Sequence, residues 1–304
     1  MSRVRSRREA LRTLAFAAPG AFAAGSSLLA TGLGQSSPPP DLAVIHGADA
    51  GAATRQAVAA LGGMRRFVSR GDVVFVKPNI GWARVPAQAA NTHPEVVRAV
   101  VELCYEAGAK LVKVADHTLD LAERCYRRSG IQAAAERAGA SVELAEPSRF
   151  RVMPLRGEAI AEWEVYAGAI EADRLINVPI VKHHSLCRLT AGMKNWFGLL
   201  GGQRDRLHDR IHAAIVDLAQ FFGPDLIVLD ATRILVRNGP QGGSLSDVRL
   251  ADTVAAGTDQ VAIDALAADL LDMPPGEVEY VRTADVRGLG SMRLDRLRVL
   301  RRDL

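Results

Sequence analysis

At 304 residues, 48% hydrophobic and 24% charged, the chain has the make-up of a globular protein with ample core, one large domain or two small ones. The formal net charge of +4 sits entirely in the first 40 residues, where Arg3, Arg5, Arg7, Arg8 and Arg12 stand against Glu9; the other 33 basic and 33 acidic residues cancel. A neutral body argues against nucleic acid as the main partner, because that binding depends on neutralising phosphates. The arginines at the C-terminus (Arg293, Arg296, Arg298, Arg301, Arg302) read as a solvated tail.

In chain order, the first feature is a leader. Ser6-Arg7-Arg8-Glu9-Ala10-Leu11-Arg12 resembles the twin-arginine export motif, with Ala10 in the usual Phe place. A weakly apolar Ala- and Gly-rich stretch runs from Leu14 to Ala30, and Ser36-Ser37-Pro38-Pro39-Pro40 follows as a linker. The expected division is residues 1–40 as signal peptide and linker, and residues 41–304 as one mature domain. The expected partner during export is the twin-arginine translocase, and the expected location is the periplasm or cell envelope. No membrane span is expected in the mature chain unless the leader stays uncleaved.

From Asp41 onward, strand-length apolar runs alternate with amphipathic stretches. Leu42–Ile45, Val73–Val76, Leu111–Val114, Leu175–Val178 and Leu226–Leu229 read as strands. Helices are predicted at Ala52–Met64, after a Thr92 cap with Pro94 at its first position and Gly108 past its end, at Leu121–Arg128, Ile131–Ala138 and Leu207–Phe222, and at Val261–Leu271. Glu146–Ala167 reads as an insertion or hairpin. Continuous apolar strands separated by helices imply an α/β fold, a mainly parallel sheet with helices on both faces.

Such sheets place ligands beyond the C-terminal strand ends. The residues there include Lys77-Pro78-Asn79, Asp116-His117, Pro179–Ser185 and Asp230. Lysine usage adds weight: the chain has 5 lysines against 33 arginines, and Lys77, Lys182 and Lys194 fall at strand ends or in loops. A lysine is a compact charge whose acidity burial can shift. His183 and His184 are adjacent, so an extended chain points them to opposite faces. His208 and His212 share the i, i+4 spacing that can hold a metal, although a solvated face alongside Arg204, Arg206 and Arg210 is the simpler reading. Cys104, Cys125 and Cys187 are spaced 21 and 62 apart, unlike any zinc or iron–sulfur run, and read as buried thiols. No Rossmann, P-loop or G-x-S-x-G motif is present.

Several of these pieces recur in one order. Val76-Lys77-Pro78-Asn79, Thr92-His93-Pro94-Glu95, Glu106-Ala107-Gly108-Ala109-Lys110, Asp116, Ile176-Asn177-Val178-Pro179, Lys182–Ser185, Lys194-Asn195-Trp196-Phe197-Gly198-Leu199, Asp230, Asn238-Gly239-Pro240 and Ala256-Gly257-Thr258-Asp259 resemble the family of domain of unknown function 362 (DUF362). The similarity spans about Asp41 to Gly290. His183 stands where the family usually has Thr, and the Cys-rich ferredoxin segment of many members is absent, so no intrinsic iron–sulfur cluster is expected. The resemblance and the strand ends together imply a polar site for a small anionic molecule. Lys182, His184 and Asp116 are its expected catalytic groups, and Lys77, Asn79, Lys194, Asn195 and Asn238 its expected anion-binding groups. The expected function is a redox-linked enzyme acting on an anionic small molecule; a non-catalytic metal- or anion-binding protein of the cell envelope, or a structural envelope protein, are the alternatives. Replacing Lys77, Lys182 or Lys194 by Met is expected to leave the fold intact.

Overall fold

A computed structural model describes residues 38–304; the Arg7-Arg8 leader lies outside the described residues. Twelve strands are present among them: β1 (Leu42–His46), β2 (Val73–Pro78), β3 (Leu111–Val114), β4 (Ser141–Val142), β5 (Phe150–Pro154), β6 (Glu162–Tyr166), β7 (Arg174–Val178), β8 (Ile180–His184), β9 (Arg188–Thr190), β10 (Leu226–Leu235), β11 (Val248–Gly257) and β12 (Val299–Asp303). The helices are α1 (Ala50–Ala60), α2 (Pro94–Ala107), α3 (Ala122–Ser129), α4 (Ile131–Arg137), α5 (Ala167–Glu171), α6 (Ile211–Phe222), α7 (Gln260–Leu270) and α8 (Glu279–Val286).

The main sheet runs β12-β1-β11-β10-β7-β2-β3-β4, with β8 joined to β10 and β9 to β8. Its pairings are parallel from β10 through β7, β2 and β3 to β4, while β11 runs antiparallel to both neighbours. The expected α/β class with a mainly parallel sheet is therefore present, enlarged by antiparallel strands. Continuous apolar runs such as Val74-Phe75-Val76 are buried because helices cover both faces. One core holds α1, α2 and α4 against Ile45, Val76 and Val228; the other holds α6, α7 and α8 against Phe75, Ile227 and Trp196.

Local sequence sets the helix ends. Asp49 caps α1 through Ala52 N, and Asp259 caps α7 through Val261 N and Ala262 N, each worth about 1 kcal/mol. Gly108 closes α2 with φ 103°, a left-handed conformation that a side chain would strain. Three expectations are corrected here. The N-cap of α2 is His93, whose ring accepts from Glu95 N, because Thr92 is committed elsewhere: its hydroxyl donates to Val178 O and receives Asn79 N. The predicted Leu207–Phe222 helix is a 3-10 segment over Arg204–Arg210 followed by α6. The C-terminal tail ends in β12, an edge strand parallel to β1, with Arg298 paired to Asp41 at 2.8 Å.

The Glu146–Ala167 stretch contains the β5–β6 hairpin. All three cysteines are buried and unpaired. Among the described residues, no helix is long and apolar enough to cross a membrane.

Candidate functional site

Strands β2, β3 and β7 end at one edge of the sheet, and β7 is extended past Pro179 by β8. Those ends surround a cavity of about 330 Å³ whose lining includes Asn79, Asp116, Lys182, His184, Lys194 and Asn195. Chain segments about a hundred residues apart thus meet because parallel strands share a direction.

Behind the wall, Lys77, expected to bind the anion, is fully buried near the end of β2 and does not line the cavity. Its Nζ donates to Pro78 O at 2.7 Å and to Asn195 Oδ1 at 3.1 Å. It also lies 2.7 Å from Asp116 Oδ1 in an ion pair. Burial pushes its pKa down, and the Asp116 carboxylate opposes that shift. The other Asp116 oxygen accepts Ile80 N at 2.5 Å, and Tyr126 clasps the Asp116 backbone from behind. Gly198 covers this pair so closely that a Cβ would lie 1.9 Å from Asp116 Oδ1 and 2.7 Å from Lys77 Nζ. No other residue type fits there without displacing the pair.

Asn195 is the junction. Its Oδ1 accepts from Lys77 and from Asn79 Nδ2, and its Nδ2 donates to Lys77 O and Asn177 Oδ1. Asn79 Oδ1 in turn accepts Lys182 Nζ at 3.0 Å, and Ala90 O accepts the same ammonium at 2.7 Å. Lys182 is 2% exposed without a carboxylate partner among the described residues, and burial pushes it down to about 7.

The rest of the wall is less satisfied. Lys194 is 9% exposed, and its Nζ lies 3.6 Å from the centre of the Phe197 ring. This cation–π contact is accompanied by no hydrogen bond or ion pair to the Lys194 ammonium among the described residues. Burial lowers it to about 8, with Arg204 and Lys77 adding repulsion. His184 Nδ1 accepts Leu186 N, which puts its remaining proton on Nε2; burial and the nearby Lys194 and Lys182 charges hold the ring neutral, near 3. Thr190 Oγ1 is buried on the cavity wall and has no hydrogen-bond partner among the described residues.

Other candidates fall elsewhere. Asn238 is not on the cavity wall; its amide donates to Asp247, which anchors that loop. His183 turns away from His184 and accepts Gly239 N. His208 and His212 part at the 3-10 to α6 junction: His208 lines the cavity and stacks on Phe197, while His212 faces Tyr280 and Glu279. No three His, Cys, Asp or Glu side chains among the described residues converge as metal ligands.

Two further lining residues were given no role by the sequence, although His117 was placed at a strand end. Arg204, read as part of a solvated face, donates to His117 O, Phe197 O and Thr118 O and so staples the cavity rim. His117 gives its Nδ1 proton to Leu200 O, leaving Nε2 as the open lone pair. Its place directly after Asp116 at a strand end was the one available signal.

Known proteins place the chain in context. A thylakoid-associated protein of Synechocystis sp. is 28% identical over 253 residues, covering 78% of this chain and 75% of that protein. The lactate racemase apoprotein from Thermoanaerobacterium thermosaccharolyticum superposes with a TM-score of 0.50 at 11% identity, over 74% of this chain and 56% of that one. At that identity the likeness concerns the fold alone. Residues 74–269, which carry Lys77, Asn79, Asp116, Lys182, His184, Lys194 and Asn195, match the model of the domain of unknown function DUF362, and the chain belongs to that family.

Proposed function

We propose that the cavity binds a small organic anion, a carboxylate on an apolar body, and that the protein is an enzyme that moves a proton on this bound molecule. The supporting observation is Lys194: a buried ammonium with a phenyl ring beside it and no acceptor among the described residues lacks the anion that normally accompanies such a group. Thr190 Oγ1 and the His184 Nε2 proton are further polar groups on the same wall, and Trp82, Leu119, Leu186 and Phe197 supply apolar surface for the body of the ligand.

Roles follow from how each group is held. Lys194 takes the negative charge. Lys182, lowered to about 7, is matched to exchanging a proton near neutral pH. His184, kept neutral, donates a hydrogen bond and carries no charge of its own. Asp116 is engaged by Lys77 and Ile80 N, so it orients the inner wall.

The test is purification of the full chain from its native host, with bound small molecules identified by native mass spectrometry. One small carboxylate per chain is expected, lost in Lys194→Met at an unchanged melting temperature. A chain that carries none, and whose melting temperature ignores a panel of small carboxylates, defeats the reading. Retention of a ligand that is never converted makes the protein a carrier.

The Arg7-Arg8 leader supports export by the twin-arginine route to the periplasm or envelope. Replacing both arginines by Lys traps the precursor in the cytoplasm on this reading; unchanged export would overturn it.

A further inference from the structure

A second cavity, of about 250 Å³, is lined by Arg84, Gln88, Asp120, Leu121, Arg124 and Arg128, with Ala83. We infer that the three arginines of this cavity form a second, separate site for a phosphate-type dianion, whether free phosphate or a phosphomonoester headgroup.

The charge balance is one-sided. Asp120 is the single carboxylate on the wall, and its Oδ2 already accepts Ala83 N at 2.9 Å. Gln88 is spent as well, its amide donating to Gly243 O and its carbonyl accepting Val85 N. The three guanidinium groups make no ion pair among the described residues, unlike those of Arg55 and Arg98, which pair with glutamates of α2. Arg84 Nε is buried with no hydrogen-bond partner among the described residues, an arrangement that costs free energy unless an acceptor is supplied.

Helix geometry concentrates the charge. Arg124 and Arg128 stand i, i+4 on α3 and so share a face, where like charges repel. Favourable interaction with the helix C-terminus explains basic residues in the last turn, Arg127 and Arg128, but not Arg124 in the middle or Arg84 on a loop. Three forked donors against one occupied carboxylate leave an excess of two positive charges. That matches a dianion whose several oxygens each accept from a guanidinium. A planar monoanionic carboxylate would leave one arginine uncompensated.

The experiment uses the full chain at low ionic strength, titrated with inorganic phosphate in a calorimeter. One saturable site is expected, weakened at least about tenfold in Arg84→Met and in the Arg124→Met/Arg128→Met double variant, the scale of a lost charge-assisted contact pair. Lys194→Met, in the other cavity, leaves it unchanged. Circular dichroism of each variant checks that the fold is retained, and the two sets of arginine variants lie on different elements, so one misfolded variant does not decide the matter. A parallel sedimentation assay compares vesicles of phosphatidylcholine with and without phosphatidic acid. Arginine-dependent binding to the phosphatidic acid vesicles identifies a headgroup as the source; binding of phosphate alone identifies the free ion. Absence of binding in both arms, or binding that survives loss of the arginines, overturns the inference.

Discussion

The wall of the main cavity and the layer directly behind it hold the same residue type under opposite conditions. Lys77, behind the wall, has a carboxylate, an amide oxygen and a carbonyl around its ammonium; Lys194, on the wall, has only a ring among the described residues. Both are buried, so the difference lies in partners and not in exposure. A buried charge with a full set of partners holds structure together, and its removal strands those partners. A buried charge without partners strains the ligand-free fold, and its retention points to something that binds.

Breaking the Lys77–Asp116 pair should have the largest effect. Lys77→Met leaves the Asp116 carboxylate buried without its counter-charge, and a loss of about 3–5 kcal/mol in urea denaturation is expected. A stability equal to that of the natural chain would mean that the pair is not structural. Gly198→Ala is next, because the new methyl group meets Asp116 and Lys77; overpacking of this kind costs about 1–3 kcal/mol. Asp116 and Lys77 would both have to move, so ligand binding should weaken in the same variant, read by titration.

Protonation sharpens the contrast. Lys182 and Lys194 are lowered to about 7 and about 8, so above pH 7 the folded chain binds fewer protons at these sites than the unfolded chain. Their contribution to stability therefore rises with pH from about 7 towards the ordinary lysine range. Asp230 and Asp264, raised to about 7 by burial, act in the opposite sense: stability falls as pH rises from the ordinary carboxylate range to about 7. The lysine effect is thus read above that point, as a slope of melting temperature with pH that flattens in Lys182→Met. Anion binding runs the other way and should weaken as pH rises through about 8, where Lys194 loses its charge. The smallest stability change is expected for Lys194→Met, whose melting temperature should stay level or rise slightly while carboxylate binding disappears. A marked fall would mean that Lys194 has a structural partner.

This division was only partly legible in the sequence. The scarcity of lysine against arginine singled out Lys77, Lys182 and Lys194, and strand ends placed them at one edge. Nothing in the pattern separated Lys77 from Lys194, because the separation depends on where Asp116, Asn195 and Phe197 meet in space. The geometry gives a reason to expect different outcomes for Lys77→Met and Lys194→Met, where the sequence reading expected one outcome for all three Met variants. Buried parallel strands such as Val73–Pro78 announced themselves as apolar runs. β11 did not, since half of Val248–Gly257 faces solvent and mixes Arg249 and Asp252 into the strand, and β12 hid behind Arg301 and Arg302, which an edge strand can leave exposed. Arg204 was concealed by the same habit: in a chain this rich in arginine, one that staples three carbonyls looks like surface.

The amide of Asn195 has a consequence for traffic through the cavity. It is held by four hydrogen bonds, two on each side, and turning it over would put donor against donor. Amides neither gain nor lose protons near neutral pH, so Asn195 and Asn79 together form an insulating layer between Lys77 and Lys182. Any proton that Lys182 exchanges must therefore come by way of the cavity, from the ligand or from the mouth, and not by a relay through Asn79 and Asn195 from Lys77.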